Sequence, residues 1–474
     1  MNNPDKPKPS LESEADPYRR DPNFSLDPPK SLGGMIRYFG PGLILTASVV
    51  GSGELIATTS LGAKVGFVAL WLILVSCVIK VAVQLIIGRY AIFSGETTLQ
   101  FMNELPGPRL RASWFIWCHF LMLMMVNFQQ GAMLGGVGQV LHLVVPQFSV
   151  TAWALLTAVV TILLLIGGRY RLIENGSTAL VAIFTLTTLL CVGLLQRTGY
   201  SVSAADLWSG LKFDLPTGGV AIAVAVFGIT GIGTNELIFY PYWCIEKGYA
   251  RAVGVRDDSG AWHARAQGWI RTMNWDALCA MIIYTVTTLA FFVLGASVLH
   301  SAKVLPEGME MIQTLSKMYT EVLGVGAFYL FLVGAFAVLY STIFVSVAGN
   351  ARMFVDCLSL MGVIRVKDYA DRKRWIRVLV VVQPLFHFLL FLAFKLPLWM
   401  VVVGGMAQTV MLPVVASAAL YLRHRRLDPK LAPARSLDFL LWISWAVIVT
   451  ITLYGLGIQI ADWLTPTTPS SDTL

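Results

Sequence analysis

The chain has 474 residues, of which 56% are hydrophobic and only 13% charged, with a mean hydropathy of +0.69. Soluble domains carry roughly a quarter charged residues, so the composition excludes a soluble enzyme or binding module and points to an all-α polytopic membrane protein. The net charge of +8 is spread through the loops, where it reports topology and implies no nucleic-acid partner.

Residues 1–33 are polar and rich in proline and charge, the composition of a disordered cytoplasmic tail. Apolar runs long enough to cross about 30 Å of hydrocarbon as helix then begin near Phe39, Gly66, Ala112, Val150, Ala179, Gly219, Thr272, Val322, Trp375, Leu396 and Leu437. Eleven spans are predicted. Of the 35 Lys and Arg, 28 fall in the loops of one side. Positive-inside bias therefore places the N-terminus in the cytoplasm and the C-terminus outside a cell membrane. The six cysteines stand singly, without metal-ligand spacing, and read as packing residues.

In the first span, "VVGSGELIATT" (Val49–Thr59) places Gly51, Ser52, Gly53 and Glu54 about 18 Å into the membrane. The sixth span repeats the pattern in "TGIGTNELIFYP" (Thr230–Pro241), with Gly233, Thr234, Asn235 and Glu236 at similar depth. Glycines lower the local cost of unwinding, and unwound backbone at that depth is tolerated only where protein, a cavity or a solute supplies partners. Close packing of small residues would explain either cluster alone. The pair, at the openings of two five-span halves, marks the binding site of a transporter. The predicted architecture is a first five-helix repeat over 34–198, an inverted second over 199–424, and an eleventh helix with a short external tail over 425–474.

At these residues the chain resembles the Nramp family of divalent-metal transporters, and through it the LeuT-type fold. The similarity is carried by "GPGLILTASVVGSGELIATTSLGAKVGF" in span 1, by Gln84, Arg89 and Gly95 around span 2, by Arg171 and Glu174 after span 4, and by "STIFVSVAGNARM" in span 8. Its metal motifs differ here. The family's Asp-Pro-Gly-Asn aligns with Gly51-Ser52-Gly53-Glu54, its Met-Pro-His with part of "GIGTNE", and its acidic third-span residues with Asn127, Gln129 and Gln130. The resemblance implies secondary transport, and the departures argue against the family's proton route.

Glu54, Glu236 and Asn235 are the expected metal ligands, with Ser52, Thr234 and backbone carbonyls near Val50 and Thr230. Such an all-oxygen set suits Mg²⁺ or Mn²⁺. Two other readings stand. Half-helix N-termini attract anions, so bicarbonate or an amino acid is an alternative cargo; a channel or non-transporting sensor is the other. The glutamates also have a structural reading, as first-turn residues stabilised by the helix dipole.

Lys80, mid-span, needs an internal partner: a glutamate, or a position a cation would hold. Gln129, Asn350 and Gln408 are further pathway candidates, with interhelical hydrogen bonding the competing role. His119 and His387 are expected to pack rather than shuttle protons, and Arg352 to pair with Asp356. The linker "EKGYARAVGVRDDSGAWHARAQGW" is either a gating helix or a lipid-surface segment. No Walker motif, nucleophile elbow or metalloprotease helix is present, so neither a cofactor nor an enzymatic activity is expected. Composition leaves the oligomeric state open.

Overall fold

A computed structural model describes residues 16–166, 170–215 and 218–464. The side chains of Ser52, Arg171 and Glu174 lie outside what it describes. Among the described residues, apart from a two-residue strand pair, Arg109–Leu110 with Ala112–Ser113, the regular structure is helical. Eight helical runs among them are long and apolar enough to cross a membrane. The first of them, Pro41–Ser94, reverses at Gly66 (φ +63°) and supplies spans 1 and 2. Val150–Ile166 and Tyr170–Leu195 are spans 4 and 5, which brings the helices to the eleven expected.

The remaining spans are Trp114–Val144 (3), Val220–Glu246 (6), Gly260–Leu299 (7), Ala327–Leu360 (8), Tyr369–Phe394 (9), Pro397–Arg426 (10) and Arg435–Leu464 (11). Burial sorts them. In span 6, 94% of the apolar window is enclosed, against 28% in spans 9 and 11. Span 6 is thus the axis of the molecule, and spans 9 and 11 turn most of their apolar surface outward, as lipid contact requires. Spans 1 and 6 are wrapped by spans 2, 7, 8 and 10, and span 3 joins spans 8, 9 and 10.

Span 1 begins where its sequence allows it. Pro41 sits at the first helical position, where a missing N–H is harmless. Asp276 of span 7 accepts the Gly40 N–H at 3.1 Å and the Gly42 N–H at 2.6 Å, satisfying helix-end donors that Gly40 has no side chain to cap.

Two expectations are corrected, and one of two alternatives is removed, at the end of the molecule that carries the N-terminal segment. Residues 16–30, assigned by composition to a disordered tail, lie against the helices. Tyr18 donates to Glu246, Arg20 donates to the carbonyls of Ile92 and Phe93, and the Leu26 carbonyl accepts from Trp269. The charged residues here find buried partners, which composition does not reveal.

Arg352 does not pair with Asp356. It forks onto Glu246 at 2.6 and 2.8 Å and stacks over Trp243, while Asp356 is held by Arg372 at 2.7 Å and accepts from Thr97 and Tyr242. Interhelical partners with better geometry replace the one-turn pairing. The linker before span 7 is no lipid-surface segment either, since Tyr249, Trp262 and Trp269 are fully buried.

Candidate functional site

Span 6 is broken as expected. Val220–Ile229 and Thr234–Glu246 are separate helices, with Thr230 extended and Gly231 at φ +77°. Gly231 is needed twice: its backbone is left-handed, and a Cβ there would lie 2.8 Å from the Cys77 Cα.

Span 1 is different. In place of an unwound break it is π-helical from Val50 to Thr58 and continuous with α-helix on both sides. The widened turns keep the backbone hydrogen-bonded, so no group is stranded. Gly51 lets the wide turn seat on span 8. Its N–H donates to Thr342 Oγ1 at 3.1 Å, and a Cβ would stand 2.3 Å from that oxygen. Gly53 allows a similar approach to the Ile229 carbonyl at the lip of the span 6 break.

The π segment and the break face each other, and their side chains meet. Glu54 is fully buried. Its Oε1 accepts from the Gly231 N–H at 3.2 Å and from Thr288 of span 7 at 2.8 Å, and its Oε2 has no partner among the described residues. Glu236 accepts from Ser48 at 3.1 Å, and Ser48 lies 3.2 Å from Ser346. The other Glu236 oxygen lies over Gly233, where a Cβ would stand 2.2 Å away. Thr58 and Thr230 share a hydrogen bond of 2.9 Å across the gap.

Of the two partners expected for Lys80, a glutamate or a position a cation would hold, no direct glutamate contact is formed. Its ammonium donates to the carbonyls of Phe227 at 2.9 Å and Thr230 at 2.5 Å, the exposed C-terminal carbonyls of the first half-helix of span 6. Ser76 bonds the same two oxygens at 3.2 and 3.1 Å. The Thr230 carbonyl, expected as a metal ligand, is therefore engaged by the protein itself.

A third group of polar residues flanks the second half-helix. Thr234 donates to the Gln408 carbonyl at 2.7 Å, and the Asn235 N–H donates to the Gln408 side chain at 3.0 Å. The Asn235 amide donates to Asn350 at 2.9 Å, and Gln408 donates to Gln129 at 2.9 Å. The Asn235 Oδ1 has no partner among the described residues. Gln129, Asn350 and Gln408 thus come together with Thr234 and Asn235.

Sequence reasoning missed Ser48, Ser76, Thr288 and Ser346, because a small hydroxyl in an apolar helix ordinarily satisfies itself on its own turn. His387 donates to Asn127 at 2.8 Å, and His119 stacks on Phe115; both are buried packing positions. Among the described residues, the one group of three acidic or imidazole ligand atoms within 4.8 Å lies elsewhere. It joins Asp258, His263 and Asp428, and Arg256 already bridges its two carboxylates.

The chain was compared with known proteins. The family model described as "Natural resistance-associated macrophage protein-like" (Nramp) matches residues 42–457. An uncharacterised protein of Pasteurella multocida is 27% identical over 328 residues, 68% of this chain and 70% of that one. The divalent metal cation transporter MntH of Chromohalobacter salexigens is 23% identical over 287 residues, and the match spans 60% of each chain. Among solved structures, the manganese transporter of Eremococcus coleocola superposes with a TM-score of 0.68 at 15% identity, covering 95% of this chain and 92% of that one.

Proposed function

The chain belongs to the Nramp family, and from that premise we propose that it is a secondary transporter carrying a small divalent cation, Mg²⁺ or Mn²⁺, by alternating access. The observation that carries the reading is a surplus of acceptors at the span 6 break. Three donors there are committed to protein: the Gly231 N–H to Glu54, the Asn235 N–H to Gln408, and the Lys80 ammonium to two carbonyls. Among the described residues, the side-chain atoms of Glu54 and Asn235 left without a partner are acceptors, Glu54 Oε2 and Asn235 Oδ1.

A cation satisfies such atoms and an anion does not, which weighs against bicarbonate or an amino acid. The oxygens of Glu54, Glu236 and Asn235 suit hard ions. With both glutamates ionised and Lys80 charged, the site carries a formal net charge of −1 before a divalent cation enters. The printed names of the Chromohalobacter and Eremococcus proteins support the same cargo class.

In this reading the five-span halves 34–198 and 199–424 rock about the break, and the end rich in Lys and Arg faces the cytoplasm. Transport proceeds without the family's proton route, since Asn127, Gln129 and Gln130 bear no titratable proton.

Calorimetric titration of the purified protein in nanodiscs with Mn²⁺ and Mg²⁺ tests the site. Glu54→Gln and Glu236→Gln are each expected to weaken binding by roughly tenfold or more. Undiminished affinity in both variants overturns the ligand assignment. Saturable bicarbonate binding in place of metal binding overturns the cargo class.

A further inference from the structure

The carbonyl oxygens of Phe227 and Thr230 are the C-terminal end of a half-helix, the negative pole of its dipole, set in a membrane interior. Two such oxygens, bridged by the Ser76 hydroxyl that donates to both, form a compact oxygen cluster of the kind that binds a monovalent cation. In this chain the cluster already holds one: the Lys80 ammonium, 2.9 and 2.5 Å from the two oxygens. Lys80 is fully buried, and its Nζ also lies 5.7 Å from the centroid of the Phe227 ring, a second surface favourable to cations.

A lysine this deep is expensive unless its charge has a function or a partner. Its bonds go to backbone at the break, the part of span 6 that must change for access to alternate, while neither glutamate carboxylate takes it directly. A merely structural counter-ion would be expected on a carboxylate.

We propose that Phe227 O and Thr230 O, bridged by the Ser76 hydroxyl, form a monovalent-cation site that Lys80 fills from within, so that the chain carries its own co-cation and its cycle needs none from solution. The inference builds on the break being the transport site. Its ligand class, a primary ammonium or alkali cation, is separate from the divalent cargo. The tethered ammonium supplies one fixed positive charge to the pocket and keeps the half-helix end neutralised in every state of the cycle. Loss of the side chain reopens the cluster to solution ions.

The experiment reads unfolding temperature at constant ionic strength, with Na⁺, K⁺ or ethylammonium exchanged against N-methylglucamine, which is too large for the cluster. Wild type is expected to be indifferent to the exchange. Lys80→Ala is expected to be less stable, and to regain a few degrees, saturably, with Na⁺ or ethylammonium. Lys80→Met, which refills the volume without the charge, is expected to show no such gain.

A Lys80→Ala protein that folds but ignores every small cation overturns the proposal. If that variant does not fold, wild type decides: a saturable Na⁺ or K⁺ dependence of its stability shows that the cluster is not pre-filled. Because the readout involves no divalent ion, the proposal fails or stands apart from the Mn²⁺ and Mg²⁺ titrations.

Discussion

Gly51 is fixed by its neighbour across the helix interface. An added methyl group would meet Thr342 Oγ1 at 2.3 Å and its Cβ at 2.7 Å, and would prise apart the Gly51 N–H bond to that oxygen. Gly51→Ala is therefore expected to lower stability by about 1–3 kcal/mol, read as a depressed unfolding temperature. Gly193→Ala is the control. Nothing lies within 4 Å of its Cβ position, and alanine there is expected to be neutral or stabilising by up to about 1 kcal/mol. Glu54 was legible in the sequence because a carboxylate in an apolar run demands a reason. Its partner Thr288 was not, since a threonine in a span usually bonds its own preceding turn, as Thr287 does to the Ile283 carbonyl at 2.8 Å.

At the scale of the helix, the start of span 1 is held by span 7. Asp276 takes the Gly40 and Gly42 N–H groups, and a Cβ on Gly42 would stand 2.7 Å from the Asp276 carbonyl. Asp276→Ala is expected to destabilise by about 1–2 kcal/mol, in the range of a lost N-cap, and Asp276→Asn, which keeps one acceptor, by less; thermal unfolding of the two variants checks the order. Hydropathy located all eleven spans because hydrocarbon leaves a crossing chain no alternative to continuous helix. Their ends were less legible. Span 7, expected near Thr272, starts at Gly260, and span 9, expected near Trp375, starts at Tyr369, because these helices run on past the apolar zone with charged residues. The helix Met311–Leu323 went unseen, since its apolar residues alternate with polar ones and no continuous run announces it. The break in span 6 was readable from its glycines alone. The widening of span 1 was not, and the Gly51 N–H within it bonds Thr342, nearly three hundred residues further along the chain.

For the whole molecule, the candidate ligands Glu54, Asn235 and Glu236 are all buried, at 0, 1 and 7% exposure. The end that carries residues 16–30 is locked by one ionic knot: Glu246 joins Arg352 of span 8 to Tyr18, and Asp356 joins Arg372 of span 9 to Tyr242 of span 6. Removing one member strands a buried charge, so Glu246→Gln is expected to favour opening at this end. With the native cysteines replaced and Ser346→Cys introduced, a small cationic thiol reagent applied from that side is expected to label the variant several-fold faster than its parent. Equal rates would mean that the knot is not a gate.

The π-helical stretch of span 1 gives the same motion a particular form. A cut rod pivots by exposing its ends, whereas a coil wound one notch too wide carries slack. Tightening any of its turns would swivel everything beyond it while each amide simply trades one carbonyl for the next. Of the two central spans, one would then serve as an open joint and the other as a ratchet, and the asymmetry would let the molecule change shape without wetting its interior.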